Sequence, residues 1–177
     1  VCHTCITILN NASGETPFIS SGLKVLSESA VPYWHHTDGE VEIHVSGTQG
    51  VPSHHGRQFI EINASSDDGT LYREACLVPG STIGYSIWHR GRRGVDAAII
   101  KIGGSLAAAA AKDTMITDNT NWVEYTGTYT VPAGETTTIF AFEALFSAQG
   151  VNDYREGNFV DHFQLTCISN DSDLDGI

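Results

Sequence analysis

The residues best suited to chemistry in this 177-residue chain gather in two short clusters. Pro32-Tyr33-Trp34-His35-His36 sets two aromatic rings beside two imidazoles. Ile87-Trp88-His89-Arg90-Gly91-Arg92-Arg93-Gly94 packs three guanidinium groups into a chain with only 9 lysines and arginines. An indole serves equally as a flat apolar face for a sugar ring or as a large core side chain. Arginine offers paired hydrogen bonds to a carboxylate, a sulfate or vicinal hydroxyls. The glycines here predict a tight hairpin that projects the guanidinium groups, with Asp96 as an alternative internal partner.

A third segment, Gln58-Phe59-Ile60-Glu61-Ile62-Asn63, alternates. On a strand, Ile60 and Ile62 share the core face, so Phe59, Glu61 and Asn63 share the other. An aromatic ring beside two hydrogen-bonding groups is what a sugar site on a sheet face needs. Glu40 and Glu42 also share a face, read as solvated. Because Glu40, Glu42, Glu61 and Glu143 all fall in expected strands, a pair of catalytic carboxylates is an alternative. Other chemistries lack their motifs: there is no glycine-rich strand-to-helix loop, no GxSxG elbow and no HExxH. The pairs His35-His36 and His54-His55 suggest a transition metal. Neighbouring strand residues point to opposite faces, which disfavours chelation of zinc by such a pair.

The elements that position these residues are short and alternating. Strands are expected at Glu40–Val45, Gln58–Asn63, Leu71–Leu77, Thr82–His89, Val95–Ile102, Trp122–Val131, Thr136–Phe146 and Phe159–Ile168, with another near Cys5–Leu9. Val78-Pro79-Gly80-Ser81 and Val131-Pro132-Ala133-Gly134 read as turns that each close a hairpin. The run of five alanines in Ser105–Lys112 favours a short helical excursion inside a loop. Without a strand–helix rhythm, this pattern predicts an all-β protein, a two-sheet antiparallel β-sandwich of jelly-roll type.

Composition agrees. Hydrophobic residues make up 41% and charged residues 17%, with 18 glycines and one methionine, which fits one globular domain and not a helical bundle. The net charge of −12 makes nucleic acid and anionic membranes poor partners, while calcium and neutral or cationic ligands suit it. No apolar run approaches a membrane span. With no signal peptide in view, the chain is expected to be a mature product or an excised domain. Cys2 and Cys5 lack the second CxxC of a zinc ribbon. Four cysteines in an acidic chain predict one or two disulfides and an oxidising compartment, with the pairing open.

The last residues, Asn170-Asp171-Ser172-Asp173-Leu174-Asp175-Gly176-Ile177, place oxygen ligands at alternate positions before a glycine, as a calcium loop begins. They resemble the first half of a thrombospondin type 3 repeat. That likeness implies calcium at Asp171, Asp173 and Asp175 and divides the chain into a sandwich domain, 1–169, and the start of an acidic linker, 170–177.

A longer resemblance covers roughly positions 8 to 168. Asn11-Ala12-Ser13-Gly14-Glu15-Thr16-Pro17, Trp34 with Thr37–Ile43, Gly56–Ala64, Thr70-Leu71-Tyr72, Val78–Ser81, His89–Arg92, Gly94-Val95-Asp96 and Gly157–Asp161 follow one another in order. The series resembles the galactose-binding-like, carbohydrate-binding-module jelly rolls of large secreted bacterial surface proteins. The resemblance implies non-catalytic recognition of a polysaccharide or glycoconjugate, extracellular location and covalently linked neighbouring domains. It also implies a structural Ca²⁺, for which Glu15 and Asp161 match the family's ligands, although Gly14 replaces the usual aromatic and His162 stands where a second Asp is frequent. The expected ligand surface is Trp34, His36, Glu61, Asn63, Trp88, His89, Arg90 and Arg92, with no catalytic residue. The alternatives are a calcium-dependent adhesin that captures peptide ends, a jelly-roll lyase or glycosidase, and a spacer without a ligand.

Overall fold

The computed structural model describes residues 9–63, 69–148 and 156–168. They form eleven strands: β1 (Leu23–Ser27), β2 (His35–His36), β3 (Glu40–Val45), β4 (Gln58–Glu61), β5 (Thr70–Ala75), β6 (Thr82–Arg90), β7 (Asp96–Gly103), β8 (Ala110–Thr117), β9 (Val123–Thr130), β10 (Thr138–Phe146) and β11 (Phe159–Cys167). Six make one sheet in the order β1-β3-β4-β11-β6-β9, and five make the other, β2-β5-β10-β7-β8. Every pairing is antiparallel. The expected all-β two-sheet sandwich is what the chain adopts.

Period-2 alternation builds the core between the sheets. Ile43, Ile60, Val160 and Ile87 from one sheet meet Leu71, Phe142, Ile100 and Met115 from the other. Trp34, 1% exposed, closes one end against Phe142 and Phe163, with ring centroids 6.3 Å away in each case. Burying such rings supplies the driving force for a sandwich of this size.

Three expectations are corrected. The Val78–Ser81 and Val131–Gly134 turns do not close hairpins, because β5 and β6 lie in different sheets, as do β9 and β10. Both are crossovers, and they bond to one another through Gly80 N to Val131 O and Val131 N to Ser81 O. The alanine run is not helical. Ser105 makes a single turn with Ala108 and Ala109, and Ala110 and Ala111 then pair with Ile102 and Lys101 of β7. Helix propensity is worth only tenths of a kcal/mol per residue, and one turn is too short to nucleate, so the open edge of β7 captures the chain. Finally, β6 and β7 are not a hairpin either, so Arg90-Gly91-Arg92 spans from one sheet to the other. All of the expected strand near Cys5–Leu9 but Leu9 itself, and the calcium-loop residues Asp171, Asp173 and Asp175, lie outside the described residues. Among those described, no helix is long and apolar enough to cross a membrane.

Candidate functional site

The outer face of the six-stranded sheet carries a buried charge network. Glu42 and His44 on β3, and Phe59 and Glu61 on β4, point away from the core, as alternation requires. They are not solvated: Val51, from the segment that joins β3 to β4, packs with Phe59, Phe159 and Trp122 above them. Trp122 holds that segment by donating Nε1–H to Pro52 O at 2.8 Å. His44 lies between the rings of Phe59 and Phe159, at 5.1 and 5.0 Å, with its Nε2 2.8 Å from Glu61 Oε2 and 2.9 Å from Glu42 Oε1. Arg92 Nη1 donates to both oxygens of Glu61, at 2.9 and 3.0 Å. The Gly157 amide also donates to Glu61 Oε1.

Two carboxylates, one imidazole and one guanidinium balance in charge when His44 is protonated. Burial pulls the imidazole down, but the hydrogen bonds and charges of Glu42 and Glu61 outweigh it and raise His44 above its ordinary value. Burial pushes Glu61 up too, against the bond to His44 and the charge of Arg92. The pair therefore keeps a proton to higher pH than either group would alone. Glu42, His44 and Glu61 present ligand atoms within 4.8 Å of one another. His44 Nδ1, however, has no hydrogen-bond partner to orient it as metal-bound imidazoles require, and Arg92 already occupies Glu61. The network clamps loops over the sheet, and Arg92 extends it to Gln49 through Nε at 3.1 Å.

Six of the eight residues expected to form a ligand surface are buried. Trp34 is core and donates Nε1–H to Asn11 O at 2.7 Å. His36 Nε2 meets Ile62 O at 2.8 Å. Glu61 and Arg92 belong to the clamp. Asn63 accepts from Asn158 Nδ2 at 2.9 Å, and His89 bridges Thr117 Oγ1 and Asn158 Oδ1, both at 2.9 Å. Burial drives the His89 pKa down to about 4, so it sits neutral in this chain of bonds. The alternation correctly separated the two faces of β4; it carried no sign that a loop covers the outer one. Only Trp88 and Arg90 keep partial exposure. Trp88 stacks on His54 at 3.6 Å, and Arg90 Nη2 donates to Asn119 O at 2.6 Å.

Glu15 and Asp161 grip the loop between Ser53 and Gln58 at different points. Glu15 Oε1 accepts the amides of Arg57 and Gln58 at 2.7 and 2.8 Å. Asp161 Oδ2 accepts those of His54 and His55 at 2.8 and 2.9 Å. Asp161 Oδ1 is buried without a hydrogen bond. Burial raises the Asp161 carboxyl to about 7 despite the amides of His55, His54 and His162 and the hydroxyl of Ser13. A buried carboxylate oxygen without a hydrogen bond is the donor type a hard cation takes, although Glu15 and Asp161 hold the loop at separate points.

The other sheet offers a more open surface that the sequence reading missed. On the outer face of β2-β5-β10-β7-β8, one cross-strand row reads His35, Tyr72, Ala141, Lys101, Ala111. The next reads Thr70, Glu143, Ile99, Thr114. His35 and Tyr72 stack at 5.2 Å, and Lys101 pairs with Glu143. Ala141, 1% exposed, is a low floor between Tyr72 and Lys101, both partly buried. At the far end Phe146 and Ile116 flank Ala97, and both are about half-exposed or more. The signal was present as the alternation of Thr70–Tyr72 and Phe140–Glu143, but the outward residues of the two rows are spread over five strands and adjoin only once the sheet is paired.

No protein-family model matches the chain, and no curated protein does so significantly. Solved structures do. The CBM22-2 xylan-binding domain of Paenibacillus barcinonensis Xyn10C is similar with a TM-score of 0.54 and 16% identity, over 82% of this chain and 98% of that one. TmCBM61, solved in complex with β-1,4-galactotriose, gives 0.51 and 17%, over 92% and 99%. An arabinose-bound α-L-arabinofuranosidase, MgGH51, gives 0.60 and 12%, over 90% of this chain but 26% of the enzyme. At these identities the likeness is one of fold: this is the β-sandwich found in carbohydrate-binding modules, and it occurs within enzymes as well.

Proposed function

We propose that the chain is a non-catalytic carbohydrate-binding module of a secreted or cell-surface multidomain protein, which tethers its neighbours to a polysaccharide or glycoconjugate. The observation that carries this reading is the outer face of the five-stranded sheet, where the Tyr72 and His35 rings and the Lys101–Glu143 pair border the low floor at Ala141. An aromatic ring takes the apolar face of a sugar, and the charged pair exchanges hydrogen bonds with hydroxyls. Binding to one such face is modest, because each hydroxyl gives up water to reach the protein. The similarity to modules whose names record xylan and β-1,4-galactotriose supports the ligand class. A catalytic use of Glu61 is disfavoured by its complete burial under the clamp.

Calcium belongs to the same proposal. Asp161, through its orphaned Oδ1, and Glu15 would hold it and stiffen the loop from Ser53 to Gln58. Cys76 and Cys167 are each in a disulfide, which supports an oxidising, extracellular compartment. The division at residue 169, with a calcium-binding linker beyond, stands as a proposal of its own.

Affinity electrophoresis through gels containing xylan, galactan or other polysaccharides tests the reading. Retardation by one polysaccharide, lost in Tyr72→Ala and Glu143→Ala, is the expected result. Retardation lost in Trp88→Ala instead would move the site to the opposite sheet, as the sequence alone had placed it. No retardation of the folded chain in any gel would reject sugar binding.

A further inference from the structure

Strands β8 and β9 end their respective sheets, so each has a backbone edge that its own sheet does not pair, and the two run alongside one another across the gap between the sheets. Tyr125 of β9 stitches one end of this seam. Its hydroxyl donates to Ile116 O at 2.7 Å and accepts the Ile116 amide at 2.9 Å. Further along β9, Tyr129 lies on the same strand face, but its hydroxyl donates instead to Glu135 Oε2 at 2.8 Å. There the seam gapes into a cleft of about 410 Å³, bordered by Ile102, Ala108, Ala110, Lys112, Thr128 and Glu135. The alanine segment accounts for the opening, because methyl groups are too small to fill it. Against β7, the strand β8 carries an extra residue here: Asp113 pairs with Ile100 and Ala111 with Lys101, which leaves Lys112 unpaired. A bulge re-aims its side chain, and Lys112 Nζ lies 5.3 Å from the centre of the Tyr129 ring.

We infer that this cleft is a second ligand site, which takes a short neutral saccharide. It shares no residue with the surface around Tyr72, and only its ligand class rests on the reading of the chain as a sugar-binding module. Its volume falls within the roughly 300–1,000 Å³ of small-ligand sites. Among the described residues, neither Lys112 nor Glu135 is in an ion pair, so both charges are open to a ligand. Glu135 is preset as an acceptor. Thr138 Oγ1 donates to its Oε1 at 2.6 Å and Tyr129 to its Oε2, which fixes the carboxylate and leaves each oxygen a further lone pair. Burial, with the bond to Glu135 and its charge, pushes the Tyr129 hydroxyl up to about 12, so it stays protonated and keeps donating. A sugar hydroxyl can donate to Glu135 and accept from Lys112, and the bare edges of β8 and β9 add N–H and C=O groups in this stretch. Ile102, Ala108 and Ala110 give the C–H side of a pyranose an apolar floor. Gly104 keeps the rim low, since a Cβ there would lie 3.4 Å from Glu135 Cγ. One charge of each sign selects a neutral ligand: a carboxylate or sulfate that reaches Lys112 also meets Glu135, and an ammonium meets the reverse.

Amide-resolved NMR of the isotope-labelled whole chain, titrated with β-1,4-galactotriose and in parallel with xylohexaose, tests this by location. At least one of the two sugars is expected to move the amides of Gly104, Ala108, Lys112 and Thr128, as a set separate from the amides around Tyr72 and Ala141. Glu135→Gln and Lys112→Ala should each raise the dissociation constant read from the cleft amides by about tenfold, the loss of a hydrogen bond to a charged group, and leave the shifts around Tyr72 in place. The dispersion of each spectrum establishes that the variant is folded. Shifts confined to Tyr72 and Ala141 would overturn the cleft and leave the sugar-face reading standing, whereas shifts confined to the cleft would do the reverse. No shift at either place with either sugar rejects both. Undiminished cleft binding in the folded Lys112→Ala, Glu135→Gln double variant overturns the assignment of the site.

Discussion

Arg92 and Arg93 are neighbours with opposite roles. Arg92 is buried against Glu61, and Arg93 is 55% exposed with only a partner at the rim, Glu156 at 3.2 Å. Replacing Arg92 by methionine leaves Glu61 and Glu42 to face one imidazolium away from water. Breaking a buried pair this way costs about 3–5 kcal/mol, so Arg92→Met should lower the urea midpoint steeply or prevent folding. Arg93→Met should fall within about 0.5 kcal/mol of the parent. Equal effects in the two variants would show that the clamp contributes nothing particular. His89 gives a second residue-level test. Its folded pKa, about 4, lies below the ordinary 6.5, so between these values the unfolded chain binds the extra proton and folding weakens as pH falls. The limit is about 1.4 kcal/mol per pH unit. The stability difference between the parent and His89→Gln should therefore shrink on acidification from pH 6.5 toward 4, because glutamine has no proton to gain. A constant difference across that window would mean that His89 is not held neutral.

At the scale of elements, the joints between sheets matter more than the strands. Gly91 sits where the chain leaves β6 for β7, and its amide donates to Asp118 O at 2.9 Å. A Cβ there would collide with Gly94 O and approach Thr117 O to 2.7 Å, backbone atoms that cannot swing aside. Gly91→Ala should cost about 2 kcal/mol or more, in the range of overpacked sites, as read by thermal or urea unfolding. Gly80, with φ +86 and open space at its Cβ position, should cost only about 1 kcal/mol when changed to alanine. A smaller loss at Gly91 than at Gly80 would show that the crossover has room to shift. The same contrast explains what could be read from sequence. Strands β3 to β7 and β9 to β11 each turn a largely apolar face into the core, and their positions were legible to within a residue or two. Strand β1 is almost wholly exposed and β2 is two residues long, so neither left a periodic trace. Strand β8 is alanine and polar for most of its length, and its structure is imposed by the edge of β7. The aromatic and basic clusters were read as a ligand surface, and most of those residues are buried. Their burial depended on a covering segment whose tertiary placement no local pattern encodes.

For the whole molecule, charge decides which glycans the proposed site can take. The net charge is −12 with only 9 lysines and arginines. Two of those cations are withdrawn from the surface. Arg92 is committed to Glu61, and Arg73 is buried over the rings of Trp34 and Phe163 at 4.9 and 5.8 Å. On the proposed sugar face the one lysine, Lys101, is paired with Glu143, while Glu74 stands beside Tyr72 on the same strand. The arginine cluster that a sequence reading would offer to sulfate or carboxylate does not project as a unit, because Arg92 turns inward. A polyanion approaching the face around Tyr72 and Ala141 meets repulsion over several ångströms and gains no guanidinium there in return. Neutral polysaccharides should therefore retard the chain, and sulfated or uronic-acid polymers should not. Raising salt from about 0.01 M to 0.15 M shortens the screening length from about 30 to 8 Å. That change should relieve repulsion of the polyanions yet leave the neutral ligand's affinity within about twofold, since stacking and hydroxyl contacts carry no net charge. Retardation by a sulfated polymer that weakens as salt rises would place the ligand on the exposed arginines, Arg90 and Arg93, and away from the face built around Tyr72 and Ala141.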